Sequence, residues 1–245
     1  MKKSLIMCPG LPRSGTLSLW RMLSEAKIIN CPHKEPHFLT VMSDDKTDCP
    51  SFYPPEFKKR YHDYVYGLNQ DILNISPPYS IEMYKKYITQ YKFDFSQSYW
   101  FVSEEYLKKI KNLLSEFEIK IILLYRDPVA RLFSFCNLVC AHWDLKKTPL
   151  ELFHYFLDMD DCKFLYPRLY SKYKNVFDDV ICLKTEKFFN TPTEYDRLLK
   201  FLGKENFKLD FIFANRTHYS SHLNRKDTII GRDKLKSSYE FYSKL

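Results

Sequence analysis

The chain has 245 residues, 45% of them hydrophobic and 17% aromatic, and carries a formal net charge of +8 at pH 7. That length supports one well-buried core; the seven cysteines, irregularly spaced and without a CxxC, argue against a disulfide scaffold and for reduced thiols. The first apolar run, about five residues, falls far short of a signal segment or a ~20-residue membrane span, so a cytoplasmic protein with no membrane partner is expected. Lysines scattered among Tyr and Phe suit an anionic ligand, whereas a nucleic-acid arm would concentrate them.

In chain order, Lys3 to Cys8 reads as a buried strand and "SGTLSLWRMLSEA" as a helix with Leu17, Leu19, Trp20 and Leu23 at helical spacing. A second strand is expected over Lys27 to Cys31. From Pro32 to Pro78 the chain is proline-punctuated and aromatic, and residues 32–91 are read as a loop-rich insertion on the acceptor side. "SEEYLKKIKNLLSEF" opens at Ser103 with a capping-box pattern and repeats apolar residues at helical period. "IKIILLY", Ile119 to Tyr125, is continuous and apolar as a central parallel strand is. Asp127 and Pro128 then fit the N-cap and first position of a helix through "VARLFSFCNLVCAHW". "DVICLKTEKF" reads as another buried strand, and Thr191, Pro192 and Gly203 bracket a further helix. The tail "KLKSSYEFYSKL" is amphipathic at helical period. Alternating strands and helices predict an α/β fold, a parallel sheet with helices on both faces, as one domain over residues 1–245.

The stretch "CPGLPRSGTLSLWRML" places a glycine-bearing turn between the first strand and the first helix. Unpaired backbone N–H groups and the positive end of a helix dipole make such a turn an anion site. Gly10 and Gly15-Thr16 keep the glycine spacing of a triphosphate P-loop, but the lysine that would reach the β and γ phosphates is missing and the nearest cation is Arg13. At the end of the Ile119 strand stands Arg126, with Ser134 eight residues on. Carboxyl ends of neighbouring parallel strands face one crevice, so Arg126 and Ser134 suit a second phosphate monoester, distant from the first. Arg131, on the same helix, reads as an outward or a structural pairing residue.

These segments resemble the sulfotransferases that use 3′-phosphoadenosine 5′-phosphosulfate (PAPS). "GLPRSGTLSLWRML" is similar to their 5′-phosphosulfate loop and "IILLYRDPVARLFSFCN" to their 3′-phosphate element. "FDFSQSYW" and "VICLKTEKFFNTPTEYDRLLKFLG" resemble segments of the Golgi-type carbohydrate branch, although Phe95 and Gln97 stand where that branch often has Lys and Pro. Arg13 as the loop cation resembles the tyrosylprotein branch. The resemblance implies a P-loop-type fold, PAPS as donor, 3′-phosphoadenosine 5′-phosphate (PAP) as product and no metal. It places the donor on Pro12, Arg13, Ser14, Gly15, Thr16, Leu17, Arg126 and Ser134, with Arg225 and Lys226 of "NRKDTIIGRDKL", and less clearly Arg232, in the basic loop that closes over the nucleotide.

The segment "CPHKEPHFL" resembles the "KExHFF" of heparan sulfotransferases, which implies Glu35 as general base, with His37 as its orienting partner or the alternative base. Sulfuryl transfer needs such a base at the attacking hydroxyl and positive charge, here Arg13 and the helix N-terminus, at the leaving phosphate oxygen. A glycan is the preferred hydroxyl acceptor, with a tyrosine peptide or a small molecule as alternatives. Two other readings compete: a P-loop kinase, and an inactive nucleotide-binding protein on the same fold. Cys31, His33, His37 and Cys49 lack zinc-ligand spacing, the pair Cys136 and Cys140 reads as a buried helix stripe, and Asp158, Asp160 and Asp161 as a solvated cap.

Overall fold

The computed structural model describes residues 2–30, 34–43, 79–143, 147–209 and 223–245. Four parallel strands form one sheet in the order β2-β1-β3-β4: β1 is Lys3–Met7, β2 Phe93–Asp94, β3 Phe117–Tyr125 and β4 Asp179–Lys184. The mixed α/β class and the all-parallel sheet agree with the expectation. β3 is central and covered on both faces. Ile121 to Tyr125 are wholly buried, and each side chain of this size contributes roughly 1.5–3 kcal/mol by leaving water.

Helices fill the two faces. Lys120 of β3 donates to the Phe201 carbonyl at 2.9 Å, which puts α10 (Pro192–Leu202) on one side. Tyr125, of opposite parity in the strand, packs on Tyr166 of α8 (Leu165–Val176) and on Phe241 of α12 (Lys236–Ser243) on the other.

The remaining helices follow sequence signals of varying strength. α1 spans Thr16–Glu25, and α5, Pro128–Trp143, starts where the Ala130 N–H donates to the Asp127 carboxylate at 2.9 Å. α10 begins at Thr191-Pro192 and stops at Gly203 in the left-handed region. Ser103 caps α4 (Glu104–Leu113) by accepting from the Tyr106 N–H, a single cap in place of the reciprocal box. Thr148 and Glu151 do form a full capping box, at the start of α6 (Pro149–Leu157), a helix the periodicity had not singled out.

Three expectations are corrected. Lys27–Ile29 form no strand. The N–H groups of Ile28 and Ile29 turn back onto the Leu23 carbonyl at 2.9 and 3.2 Å, with Lys27 at φ 56°, so the segment closes α1; Cys31 lies outside the described residues. The strand that flanks β1 opposite β3 is the two-residue β2. Within 32–91, Phe38–Met42 is the short helix α2 and Ile81–Tyr91 the regular helix α3, capped by Ser80; residues 44–78 lie outside the described residues. The strand after Val176 ends at Lys184, and Thr185–Phe188 is the helical turn α9. The chain closes with α7 (Asp160–Lys163) between α6 and α8, and α11 (Arg225–Lys234) before α12. Asp158, Asp160 and Asp161 pair with Lys234, Lys163 and Arg168 at the surface, as solvated caps do.

Candidate functional site

All four strands deliver their carboxyl ends to the turn between β1 and α1. The N-cap of α1 is Gly15 at φ 92°, which supplies no side-chain cap, and the first turn carries no acidic residue. The leading N–H groups of the helix and its dipole are therefore left for an external anion. A Cβ on Gly15 would come within 3.0 Å of Phe189 and 3.1 Å of Thr185, and one on Gly10 within 2.8 Å of Thr16. The turn is thus closed against any side chain of its own. Ser14 is wholly buried, and its Oγ has no hydrogen-bond partner. An orphaned buried hydroxyl beside an uncapped helix start fits a bound phosphate oxygen.

Arg13, Ser134 and Arg126 are brought together. Arg13 donates from Nε to Ser134 Oγ of α5 at 3.0 Å, and Arg126 donates to the Arg13 carbonyl at 3.3 Å. Arg13 itself sits at φ 72°, a strained region for a non-glycine residue that recurs at functional sites. Lys27 and Lys92, also at positive φ, follow helices and need no such explanation. The junction after Arg126 is braced from several sides. Tyr166 donates to the Arg126 carbonyl at 2.5 Å, Tyr239 to Asp127 at 2.6 Å, and the Asp127 N–H donates to Glu186 at 3.0 Å.

Two contacts were missed by sequence reasoning. Thr185, just past β4, donates to the Ser14 carbonyl at 2.7 Å, and the Gln97 amide donates to Thr16 Oγ1. The rule that parallel strands share one crevice pointed at the end of β4, and Gln97 lay in a quoted motif as an unexplained replacement for proline.

Glu35 and His37 form the second half of the site. The His37 N–H donates to Ser96 Oγ at 2.9 Å, Ser96 donates to Asp94 at 2.6 Å, and His37 Nδ1 lies 2.6 Å from Ser98 Oγ. Thr40 donates to the same Ser98 hydroxyl at 2.6 Å. On the other side of the ring Nε2 is buried without a hydrogen bond and stands 3.4 Å from Glu35 Oε2, an electrostatic approach. His37 is 1% exposed and at φ 53°, a second strained residue.

Beneath it, Asp94 is wholly buried and accepts from Tyr84 at 3.0 Å and Tyr99 at 2.5 Å. Burial pushes its carboxyl up, against the three hydroxyl donors that hold it down. For Glu35 burial is also the largest single influence and raises it, yet the Lys34 ammonium and His37 together outweigh burial and bring the carboxyl down to about 2. Lys34 contacts Glu35 directly. Gln97 joins the halves: its neighbours Ser96 and Ser98 hold His37 while its own amide reaches Thr16 at the head of α1. The residues that hold His37 and the one that reaches Thr16 are thus consecutive in the chain.

Other candidates fall elsewhere. Pro12 is buried and Leu17 half-buried on the turn and first helical residues. Arg225 and Lys226 are exposed at the start of α11, and Arg232 lies over the Tyr239 ring at 5.9 Å. Arg131 is buried, not outward. Cys136 is buried and Cys140 half-buried, and both are free thiols. Among the described residues no group of three or more His, Cys, Asp or Glu side chains is placed to hold a metal, and no helix is long and apolar enough to cross a membrane; Cys31, His33 and Cys49 lie outside them.

No protein-family model matches the chain, and no curated protein matches it at a significant level. Among solved structures the chain is similar to the sulfotransferase domain from the curacin biosynthetic pathway, at 13% identity over 96% of this chain and 98% of that one, with a TM-score of 0.44.

Proposed function

We propose that the chain is a PAPS-dependent sulfotransferase of the carbohydrate or tyrosylprotein type, acting on an acceptor hydroxyl. The observation that carries the reading is the linkage of two anion-binding elements: Arg13 of the uncapped turn is bonded to Ser134, and Arg126 to Arg13. A donor with phosphates at both ends of a ribose suits that pair of sites. A kinase reading is disfavoured because Thr16 Oγ1, which in a triphosphate enzyme meets magnesium, is engaged by Gln97, and because Gly15, not a lysine, directly precedes Thr16.

In this reading Ser14 Oγ and the N–H groups from Gly15 to Leu17 hold the 5′ end, with Pro12 shaping the turn. Arg126 and Ser134 hold the 3′-phosphate, and Arg225 and Lys226 are assigned to the outer edge of the nucleotide. Bound there, PAPS would supply a sulfuryl group whose departure leaves PAP. Arg13 and the dipole of α1 stabilise charge growing at the 5′ end of the turn. Glu35, ionised at neutral pH, receives the proton of the attacking hydroxyl, while the His37 ring, 3.4 Å from its other oxygen, is the orienting partner. Lys34 tempers the basicity of Glu35 until an acceptor displaces it. A glycan hydroxyl is the preferred acceptor, on the likeness of "HKEPHF" to heparan enzymes.

Calorimetry with PAP in the absence of magnesium, followed by transfer of labelled sulfate from PAPS to glycan, tyrosine-peptide and phenolic acceptors, tests the proposal. Magnesium-independent PAP binding and labelling of a glycan are expected. Binding of ATP only with magnesium, and none of PAP, would replace the reading with the kinase one.

A further inference from the structure

Arg131 is a buried cation that forms no ion pair with any described residue. It is 6% exposed, and its Nε has no hydrogen-bond partner. Its guanidinium stands 5.9 Å from the ring centre of Tyr166, and its charge acts on that phenol and on the thiols of Cys136 and Cys162. A buried charge left without a carboxylate is costly, and an apolar side chain would pack there at less cost. Structural pairing therefore does not account for it.

The surroundings do. Tyr166 is 1% exposed and gives its proton to the Arg126 carbonyl at 2.5 Å. A cation beside a phenol strengthens that phenol as a donor. Arg126 in turn donates to the Arg13 carbonyl, Arg13 donates to Ser134, and Ser134 lies one turn after Arg131 on the same face of α5. The contacts close a ring: Arg131, Tyr166, Arg126, Arg13, Ser134 and back along the helix. Two carboxylates, Glu186 and Asp127, also act on the Tyr166 phenol, against the three guanidinium groups of Arg13, Arg126 and Arg131. The positive excess that remains suits a phosphate monoester carrying about −1.5 to −2.

We propose that Arg131 and Tyr166 are a positioning pair that presets Arg126 and Ser134 and makes this end of the site selective for a second phosphate. The inference rests on the reading that Arg126 and Ser134 take the 3′-phosphate. Tyr166 acts through the Arg126 backbone, and Arg131 acts through Tyr166 and through its own field.

The test compares PAP with adenosine 5′-phosphate, which lacks only the 3′-phosphate, by calorimetry on the wild type, Tyr166→Phe and Arg131→Met. The wild type should prefer PAP. Tyr166→Phe keeps the ring that packs on Tyr125 and should narrow that preference by ~3–10-fold, with adenosine 5′-phosphate affinity unchanged. Arg131→Met should narrow it further; if that variant does not fold, Tyr166→Phe alone decides. An equal loss for both nucleotides marks a merely structural role and overturns the pair, as does an unchanged ratio. A wild type that shows no preference for PAP overturns the 3′-phosphate reading itself and the pair with it.

Discussion

The two halves of the site are built by different means. On the donor side, backbone does most of the work: an uncapped helix start, a glycine at φ 92° and carbonyls of Arg13, Ser14 and Arg126 that accept from side chains of other elements. On the base side, side chains hold side chains. Glu35 leans on Lys34 and His37, His37 on Ser96 and Ser98, and Ser96 on a buried Asp94. Backbone geometry is set by the fold and tolerates substitution around it. A chain of side-chain hydrogen bonds fails at its weakest member, so the two halves should break differently when mutated.

The largest expected effect separates them directly. Glu35→Gln keeps the shape of the base side and removes the proton acceptor, so sulfate transfer should fall by ~10²–10⁴-fold. PAP affinity, which belongs to the other half, should stay at the wild-type value in calorimetry. Wild-type-like turnover in Glu35→Gln would remove Glu35 from the chemistry.

The same division explains what the sequence made legible. β3 announced itself as a continuous apolar run, and the helix starts at Asp127-Pro128 and Thr191-Pro192 carry local stop and start chemistry. Arg13, Arg126 and Ser134 were legible because each sits at a fixed offset from a strand end. The base side offered no such offset. Ser96 and Ser98 meet His37 across 59 and 61 residues, and no local pattern marks that pairing. Asp94 is one half of a two-residue strand, too short to show a period of two. Lys27–Ile29 was misread for a related reason: two isoleucines after a helix have strand-like composition, yet here they fold back on Leu23 and bury themselves beneath α1. Gln97 lay within a recognised motif, but its bond to Thr16 depends on the register of β2 beside β1, which only the folded chain displays.

A second substitution probes the donor side from within. Arg126→Ala removes a guanidinium from the proposed 3′-phosphate position, and its donation to the Arg13 carbonyl goes with it. Hydrogen bonds to charged groups are worth ~1.5–3 kcal/mol, so PAP affinity should drop by about 10–100-fold. At saturating donor the turnover number should recover most of its value, because the base side is untouched. A turnover loss that excess PAPS does not relieve would mean the two halves are one mechanical unit.

The smallest effect is the most diagnostic of how the base is tuned. Burial raises the Glu35 carboxyl, and Lys34 is the strongest of the influences that bring it down to about 2. Lys34→Met deletes that influence and leaves His37 alone against burial, so the carboxyl must move up. The acid limb of the kcat/KM profile should therefore shift to higher pH in the variant. Stability carries the same sign. A carboxyl depressed on folding stabilises the native state above its ordinary value near 4.5 and loses that contribution as pH falls toward 2. In Lys34→Met the folded and unfolded values approach one another, so the difference in urea midpoint between pH 7 and pH 3 should shrink. The kcat/KM profile reports the free enzyme, in which Lys34 still sits on Glu35, so a limb that stays in place would show that the limb does not belong to Glu35 and would remove it as the base.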